Sequence, residues 1–330
     1  MKDKITFLVK VDYANVLTEY SNIINKHSLK YESRVIGENP HRFGYTLQHD
    51  YNLSNPNDIK KSIEWVNDSK YIIFSEESGH GEYNTLKTMI NRLNINLEGK
   101  HLCVWHPGTH YRNSYQRFNN NPLTSKMFKR IYMVDLYRLS PKGEKDVVLL
   151  PFMNFNIDEE LYIENMMDKI NSNNKIILHC PSDPNRKGTS IITKTLNELN
   201  KEKFSFITHT KKPHPFIMSE KKKSLFYIDQ FNIEAGFGVS SIESLICGNV
   251  TLSSTSNAIP GLTKYNPDLK CPIINLGTVH TTLRDGINEV MNYDKNSLIN
   301  ICENNLKYLK ECYNGINVIN YIEEKILKDG

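Results

Sequence analysis

No apolar run in this 330-residue chain approaches the roughly 18 residues that a membrane-spanning helix needs. Lys2 and Lys4 precede an apolar run of only about five residues, shorter than the core of a secretory leader, so the expected location is the cytoplasm. None of the six cysteines (103, 180, 247, 271, 302, 312) forms a Cys-x-x-Cys pair. Cys103, Cys180, Cys247 and Cys271 lie in or beside apolar runs and read as reduced core thiols rather than disulfide or zinc ligands. The histidines are scattered. His106 and His110 are four apart, but Pro107 and Gly108 between them prevent the helix that would turn both toward one metal. Asp-x-Asp pairs are missing, with Asp183 and Asp229 isolated, so no metal is expected. Short-period repeats are missing too, and the only biased tract is Lys221–Lys223. With 39% apolar and 24% charged residues, 16 Gly and 13 Pro, collagen-like, coiled-coil and wholly disordered chains are excluded.

What is present is enough chain for two domains of about 150 residues each. Short β-rich apolar runs alternate with helix-period stretches, the pattern of α/β folds with parallel sheets. In the first half, strands are expected at Ile5–Val9, Tyr31–Ile36, Tyr71–Phe74, Leu102–Trp105 and Val147–Leu150. Helices are expected at Val16–Lys26, Ile59–Val66 and Leu86–Leu93. Pro151–Ile157 reads as a connector. A second series follows, with strands at Lys175–His179, Phe204–Thr208, Leu225–Ile228, Val250–Ser253 and Pro272–Leu276. Its helices are expected near Ser190–Leu199, Pro215–Lys223 and Val239–Cys247, with three more (Thr281–Met291, Ser297–Tyr313, Val318–Leu327) closing the chain. The fold class is therefore α/β, two tandem Rossmann-like domains, divided as 1–152, 153–315 and a terminal helix in 316–330. In such folds ligands bind at the carboxyl ends of strands.

Two loops leaving strands carry the strongest chemical signal. In the first, Asp229–Gly248, Gly236 and Gly238 bracket Phe237 before a helix that starts near Val239. Free amides of Val239, Ser240 and Ser241 at that helix start favour phosphate, and glycines allow close approach of a diphosphate. Glu243, one turn in, is placed to accept two hydrogen bonds from a ribose diol, and Gly248 caps the helix end. The second loop, His179–Thr189, holds adjacent Arg186 and Lys187, then Gly188 and a helix start at Thr189, a second phosphate-binding arrangement. Taken singly, the first is weak evidence against a plain tight turn, and the second is better explained as a solvated loop.

Together these stretches resemble the nucleotide-sugar domain of the GT-B glycosyltransferases, in particular the family-four-like retaining group. Lys187-Gly188 matches the family's diphosphate lysine, and Gly236-Phe237-Gly238, Glu243 and Gly248 match its Gly-Phe-Gly helix start, glutamate and closing glycine. Asp229-Gln230 matches a pair seen at this strand end in several subgroups. The likeness covers residues 174–256, and the remainder matches in layout. It implies two Rossmann-like domains facing across a cleft, the terminal helix returning to the first. It also implies a nucleotide-diphosphate-sugar donor on the second, with His209 and the loop Thr208–Lys212 beside the base. Two positions depart from the pattern: Ser182 stands where the family has an arginine, and Ala235, after Glu234, where it has a first glutamate.

In the first domain, the loop His106–Arg112 leaves a strand, and the resemblance puts His106 near the donor sugar. Gly108, Thr109 and Arg112 would face the acceptor, unless His106 is simply a satisfied strand-end residue. Asp12 and Asn15 follow the first strand and read equally as cleft-facing polar groups, Asp12 then catalytic, or as helix caps. The net charge of +4 divides as +5 over residues 1–157 and −1 over 158–330. Nine basic residues fall within 100–146 (Lys100, Arg112, Arg117, Lys126, Lys129, Arg130, Arg138, Lys142, Lys145). If the first domain holds the acceptor, that excess points to a polyanionic or surface glycan or a lipid-linked sugar. The alternative is DNA carrying a hydroxylated base, as in a phage enzyme working in host cytoplasm. A non-catalytic nucleotide-sugar binder and a sugar-nucleotide epimerase are the other readings. Lys187→Ala and Glu243→Ala are each expected to weaken donor binding without unfolding the chain.

Overall fold

A computed structural model describes residues 2–39, 45, 49–76, 83–152, 157–199, 204–231, 236–277 and 279–328. The chain divides into two compact units. Unit 1 comprises Met1–Asn154, Thr263–Pro267 and Asn314–Gly330, and unit 2 comprises Phe155–Leu262 and Asp268–Tyr313.

Unit 1 opens with β1 (Asp3–Val11), whose Ile5–Val9 are buried on both faces, as a central parallel strand must be. Helix α1 (Val16–His27) buries Val16, Leu17, Tyr20, Ile23 and Ile24, the stripe its spacing dictates. There follow β2 (Tyr31–Asn39), β3 (Tyr51–Asn52), α2 (Pro56–Asp68), β4 (Tyr71–Ser75), α3 (Asn84–Leu93) and β5 (His101–His106). Helix α2 starts where Asn55 accepts a hydrogen bond from the Asn57 amide and Pro56 takes the first helical position. Next come α4 (Thr109–Asn119), α5 (Pro122–Lys126), β6 (Lys129–Met133) and β7 (Asp146–Leu149). Among the described residues the strands form one parallel sheet in the order β3-β2-β1-β4-β5-β6-β7. The order reverses between β1 and β4, which makes that strand pair the topological switch point.

Unit 2 contains α6 (Glu159–Asn171), β8 (Lys175–His179), α7 (Thr189–Asn197), β9 (Phe204–Thr208), α8 (His214–Lys223), β10 (Phe226–Ile228), α9 (Val239–Ile246) and β11 (Val250–Ser253). Helix α10 (Ile259–Tyr265) passes from unit 2 into unit 1. Then β12 (Ile274–Asn275), α11 (His280–Met291) and α12 (Lys295–Tyr313) complete unit 2. Its sheet is also parallel, in the order β12-β11-β10-β8-β9, with the switch point between β8 and β10. The last helix, α13 (Gly315–Lys325), packs on α1 in unit 1, where Ser28 donates to Glu323 Oε1 (2.6 Å) and Tyr321 to the Val148 carbonyl (2.7 Å).

Four helices differ from expectation, the short α5 among them. The His106–Arg112 stretch is not a loop throughout, because α4 starts at Thr109 with Gly108 as its N-cap and carries Arg112 on its first turn. Helix α6 is capped by Asp158, which accepts from the Leu161 amide, with Glu159 and Glu160 in the first turn. Those start signals stand in the sequence immediately after the connector. Helix α10 is too short for its period to register.

Candidate functional site

The switch point of unit 2 lies between His179 at the end of β8 and Ile228 at the end of β10. His179 joins them: its Nδ1 donates to the Ile228 carbonyl (2.8 Å), and its Nε2 accepts from the Thr189 hydroxyl at the start of α7 (2.9 Å). Burial pushes the imidazole down to about 4, outweighing the Ile228 carbonyl and nearby Asp229, so it is neutral at physiological pH. The loop that follows turns back at Gly188, whose φ of 70° lies in the left-handed region. A side chain there would overlap the Phe231 carbonyl oxygen, so glycine is required both by conformation and by the approach of the next loop. Lys187 closes the contact. Its Nζ lies 2.8 Å from Asp229 Oδ1, and its carbonyl accepts from the Phe231 amide (3.0 Å). Arg186 points outward, two-thirds exposed, with Asp183 at 3.4 Å, and Ser182 is exposed.

Asp229 is the hub that unites the two loops. Lys187 holds one of its oxygens, and the Ser241 hydroxyl of α9 donates to the other at 2.8 Å. Burial works against the charged form, but Lys187, Ser241 and Lys221 outweigh it and hold the carboxyl below its ordinary range. Ahead of α9, the Gly236 carbonyl accepts from the Gln230 amide group and from Ser253 Oγ, and Phe237 is buried. Gly238 is the N-cap. One expected donor is already engaged, because the Ser241 amide donates to the Gly238 carbonyl (3.1 Å); Val239 and Ser240 precede it in the helix. Glu234 and Ala235 lie outside the described residues. Gly248 adopts φ 71° past the helix end and donates to the Leu245 carbonyl.

Glu243 is 2% exposed, deeper than a simple ribose contact suggests. Its Oε2 lies 2.6 Å from Lys221 Nζ and its Oε1 2.8 Å from His214 Nε2, both on α8. Burial opposes the carboxylate, yet Lys221 and His214 prevail and keep it ionised. His209 follows β9, with Nε2 at 3.4 Å from Glu220 and its ring edge-on to Phe216 at 5.0 Å. Sequence reasoning missed Lys221, His214 and the central position of Asp229. A buried lysine inside a Lys-Lys-Lys run gives no periodic signal that separates it from solvated neighbours.

The strand ends of unit 1 are arranged differently. Asp12 is fully buried and caps α1: its oxygens accept from the Leu17 amide (3.0 Å), the Thr18 amide (2.7 Å) and the Thr18 hydroxyl (2.7 Å). Burial raises its carboxyl to about 6 against those bonds. Asn15 is buried with φ 55° at the start of the same helix. His106 is 1% exposed, enclosed by the rings of Tyr111 (4.3 Å), Phe118 (5.2 Å) and Tyr132 (5.2 Å). Burial and, secondarily, Arg130 lower its imidazole to about 3. Thr109 follows Gly108 on α4, and Arg112 Nη2 binds Asp135 Oδ2 at 2.6 Å, with its Nε lacking a partner among the described residues.

The basic segment does not form one face. Arg130 is buried against Asp146. Lys100, Lys126, Lys129 and Lys145 lie at the amino ends of β5, β6 and β7, where Lys145 donates to the Ser125 carbonyl (3.0 Å). Lys142, which binds the Tyr137 carbonyl, precedes Gly143, whose amide donates to Asp146 at the start of β7 (2.9 Å), while Arg112 and Arg117 lie on α4 and Arg138 follows β6. No described helix is long and apolar enough to cross a membrane, and no three His, Cys, Asp or Glu side chains among the described residues converge as metal ligands.

No protein-family model and no curated protein matches the sequence. Solved structures do match the fold over its full length. A glycosyltransferase from Rickettsia africae is 13% identical, with a TM-score of 0.60 and 100% of both chains covered. The Anabaena protein HepE, solved with UDP and glucose, is 10% identical with a TM-score of 0.61, covering 98% of this chain and 99% of its own. A UDP-N-acetylglucosamine 2-epimerase from Listeria monocytogenes, described as putative, is 12% identical with a TM-score of 0.52, covering 97% and 94%. At such identities the likeness is one of architecture. The chain has the GT-B fold, two Rossmann-like α/β units in tandem.

Proposed function

We propose that the protein transfers a sugar from a nucleoside-diphosphate sugar to a hydroxyl acceptor, with the donor held by unit 2. The observation that carries this reading is the convergence of Lys187, Asp229 and the first turn of α9 at the β8–β10 switch point, where open parallel sheets bind ligands. Lys187, Arg186 and the helix starts of α7 and α9 would receive the diphosphate. A side chain added at Gly238 would meet no atom of the described residues within 4 Å. That open space beside the start of α9 would let a phosphate lie close to the backbone. In the reaction the bond from the sugar's anomeric carbon to the diphosphate breaks and its electron pair leaves with the diphosphate. The acceptor oxygen bonds to that carbon and its proton passes to the departing diphosphate or to solvent. Cationic and amide donors then stabilise the leaving charge. Turnover unchanged by excess chelator is the expected result.

Among acceptors, a glycan hydroxyl is favoured over duplex DNA, since Lys100, Lys126, Lys129 and Lys145 stand at the strand ends opposite those where ligands bind. Steep loss of activity on duplex DNA with added salt would reverse that preference. The Listeria fold match keeps a 2-epimerase as the second reading. A thermal-shift series over nucleotide sugars tests the donor site, because a ligand at about 100 times its Kd stabilises by about 2.7 kcal/mol. Free nucleotide appearing only with an acceptor supports transfer. An altered nucleotide sugar without acceptor identifies an epimerase, and tight binding without any turnover identifies a binder.

A further inference from the structure

Lys221 has 0% exposure, and a lysine is almost never fully buried unless it is paired. Its three ammonium protons have three acceptors: Glu243 Oε2 at 2.6 Å, Ser240 Oγ at 2.8 Å and the Ser240 carbonyl at 2.9 Å. The Tyr227 hydroxyl binds the same Ser240 Oγ at 2.6 Å, and the Tyr227 ring centroid lies 4.7 Å from the ammonium. His214, one-sixth exposed at the start of α8, holds the second oxygen of Glu243 at 2.8 Å. Helix α8 therefore grips α9 at two places, the backbone and side chain of its second residue and the carboxylate one turn further on. Burying an ion pair brings little net stability over an apolar substitute. Such a pair is better explained by what it orients. Each carboxylate oxygen still has an accepting lone pair for a ligand hydroxyl.

We propose that Lys221 and His214 are positioning residues that fix the Glu243 carboxylate for a ribose diol, and so set a preference for ribonucleoside over 2′-deoxyribonucleoside diphosphates. This inference rests on the donor reading of unit 2. A site built around a substrate hydroxyl discriminates strongly against the analogue that lacks it, because the waiting polar group is left unpaired.

The test is calorimetric binding of UDP and 2′-deoxy-UDP to the full chain. The wild-type protein is expected to prefer UDP by about tenfold or more. Lys221→Met is expected to reduce that preference to about twofold or less, and His214→Ala to an intermediate value, while His214→Gln, which can still donate to Glu243, retains it. Should Lys221→Met fail to fold, Lys221→Met/Glu243→Gln removes both charges together and is expected to bind the two nucleotides alike. A folded Lys221→Met, double variant or His214→Ala that keeps the wild-type preference overturns the inference. Equal wild-type affinity for both nucleotides also overturns it while leaving the donor reading intact. Wild-type protein that binds neither nucleotide overturns the donor reading itself.

Discussion

The two units have related sheets but treat their strand ends in opposite ways. Among the described residues of unit 1, Asp12 and His106 serve the fold: Asp12 caps α1, and His106 is a neutral ring packed among three aromatic side chains. In unit 2 they form a charged network, Lys187–Asp229–Ser241 on one side of α9 and His214–Glu243–Lys221 on the other. Among the described residues, unit 1 pairs opposite charges after a strand end between Arg112 of α4 and Asp135, whereas unit 2 joins two loops and the starts of α8 and α9 through Asp229 and Glu243. Strand-end position alone is thus a weak guide to chemistry, and the pairing of charges across loops is a better one.

The comparison breaks most readily at its strongest point. Lys187→Met is expected to lower kcat/KM by about 10²–10³, the scale of losing one preorganised donor to a developing anion. Arg112→Met in unit 1, which removes a cation already bound to Asp135, is expected to cost no more than about tenfold. Steady-state kinetics of the two side by side decides, and equal losses would mean that both units bind reacting groups.

The second effect is on stability and revises an expectation from sequence. Glu243→Ala does not merely weaken a ligand contact, because it leaves Lys221 buried without its counter-charge. A loss of about 3–5 kcal/mol in urea unfolding is expected, the scale of breaking a buried pair from one side. A variant as stable as the wild type would show that Lys221 finds water or another partner, and the clamp on α9 would have to be abandoned.

A third effect is shared by the units and comes from their buried histidines. The folded values of His106 (about 3) and His179 (about 4) lie below the ordinary 6.5. The unfolded chain therefore binds protons from about pH 6.5 downward while the folded chain does not. Stability from each is complete above 6.5 and falls as the pH drops toward those values, by on the order of 3 kcal/mol each by pH 4. His106→Gln and His179→Gln should each flatten the acid limb of the stability curve. A flat wild-type curve from pH 7 to 4 would contradict the burial of both rings.

What was legible in the sequence follows the same division. Central strands such as Ile5–Val9 and Lys175–His179 stood out because strands buried on both faces are continuous apolar runs. The loops bearing Lys187-Gly188 and Gly236–Gly238 stood out because glycines and adjacent cations are rare in combination. Helix α6 had readable start signals beside a proline-broken connector that masked them. Lys221 and His214 were illegible for a different reason: their role depends on α8 packing against α9, a tertiary contact that no local pattern encodes. The placing of the basic excess was illegible because a count along the chain cannot separate the two ends of a parallel sheet, and α4 carries the chain from one end to the other.

The smallest effect is the sharpest check on unit 1. Asn at position 12 keeps one oxygen to accept from Leu17 but offers a donor where the Thr18 amide and hydroxyl already donate, so two bonds weaken. Against that loss, the wild-type carboxyl is ionised at pH 7 at a cost, since burial raises it to about 6. The two partly offset, and Asp12→Asn is expected to lose about 1 kcal/mol at pH 7 with turnover changed by less than about twofold. Between about 6 and the ordinary 3.8 the folded protein takes up this proton before the unfolded chain does. Wild-type stability therefore gains from Asp12 as the pH falls through that window, and the gap to the variant should widen on acidification. A large drop in kcat with native stability would mean that Asp12 faces the reacting groups, and the contrast between the two units would fail at its weaker side.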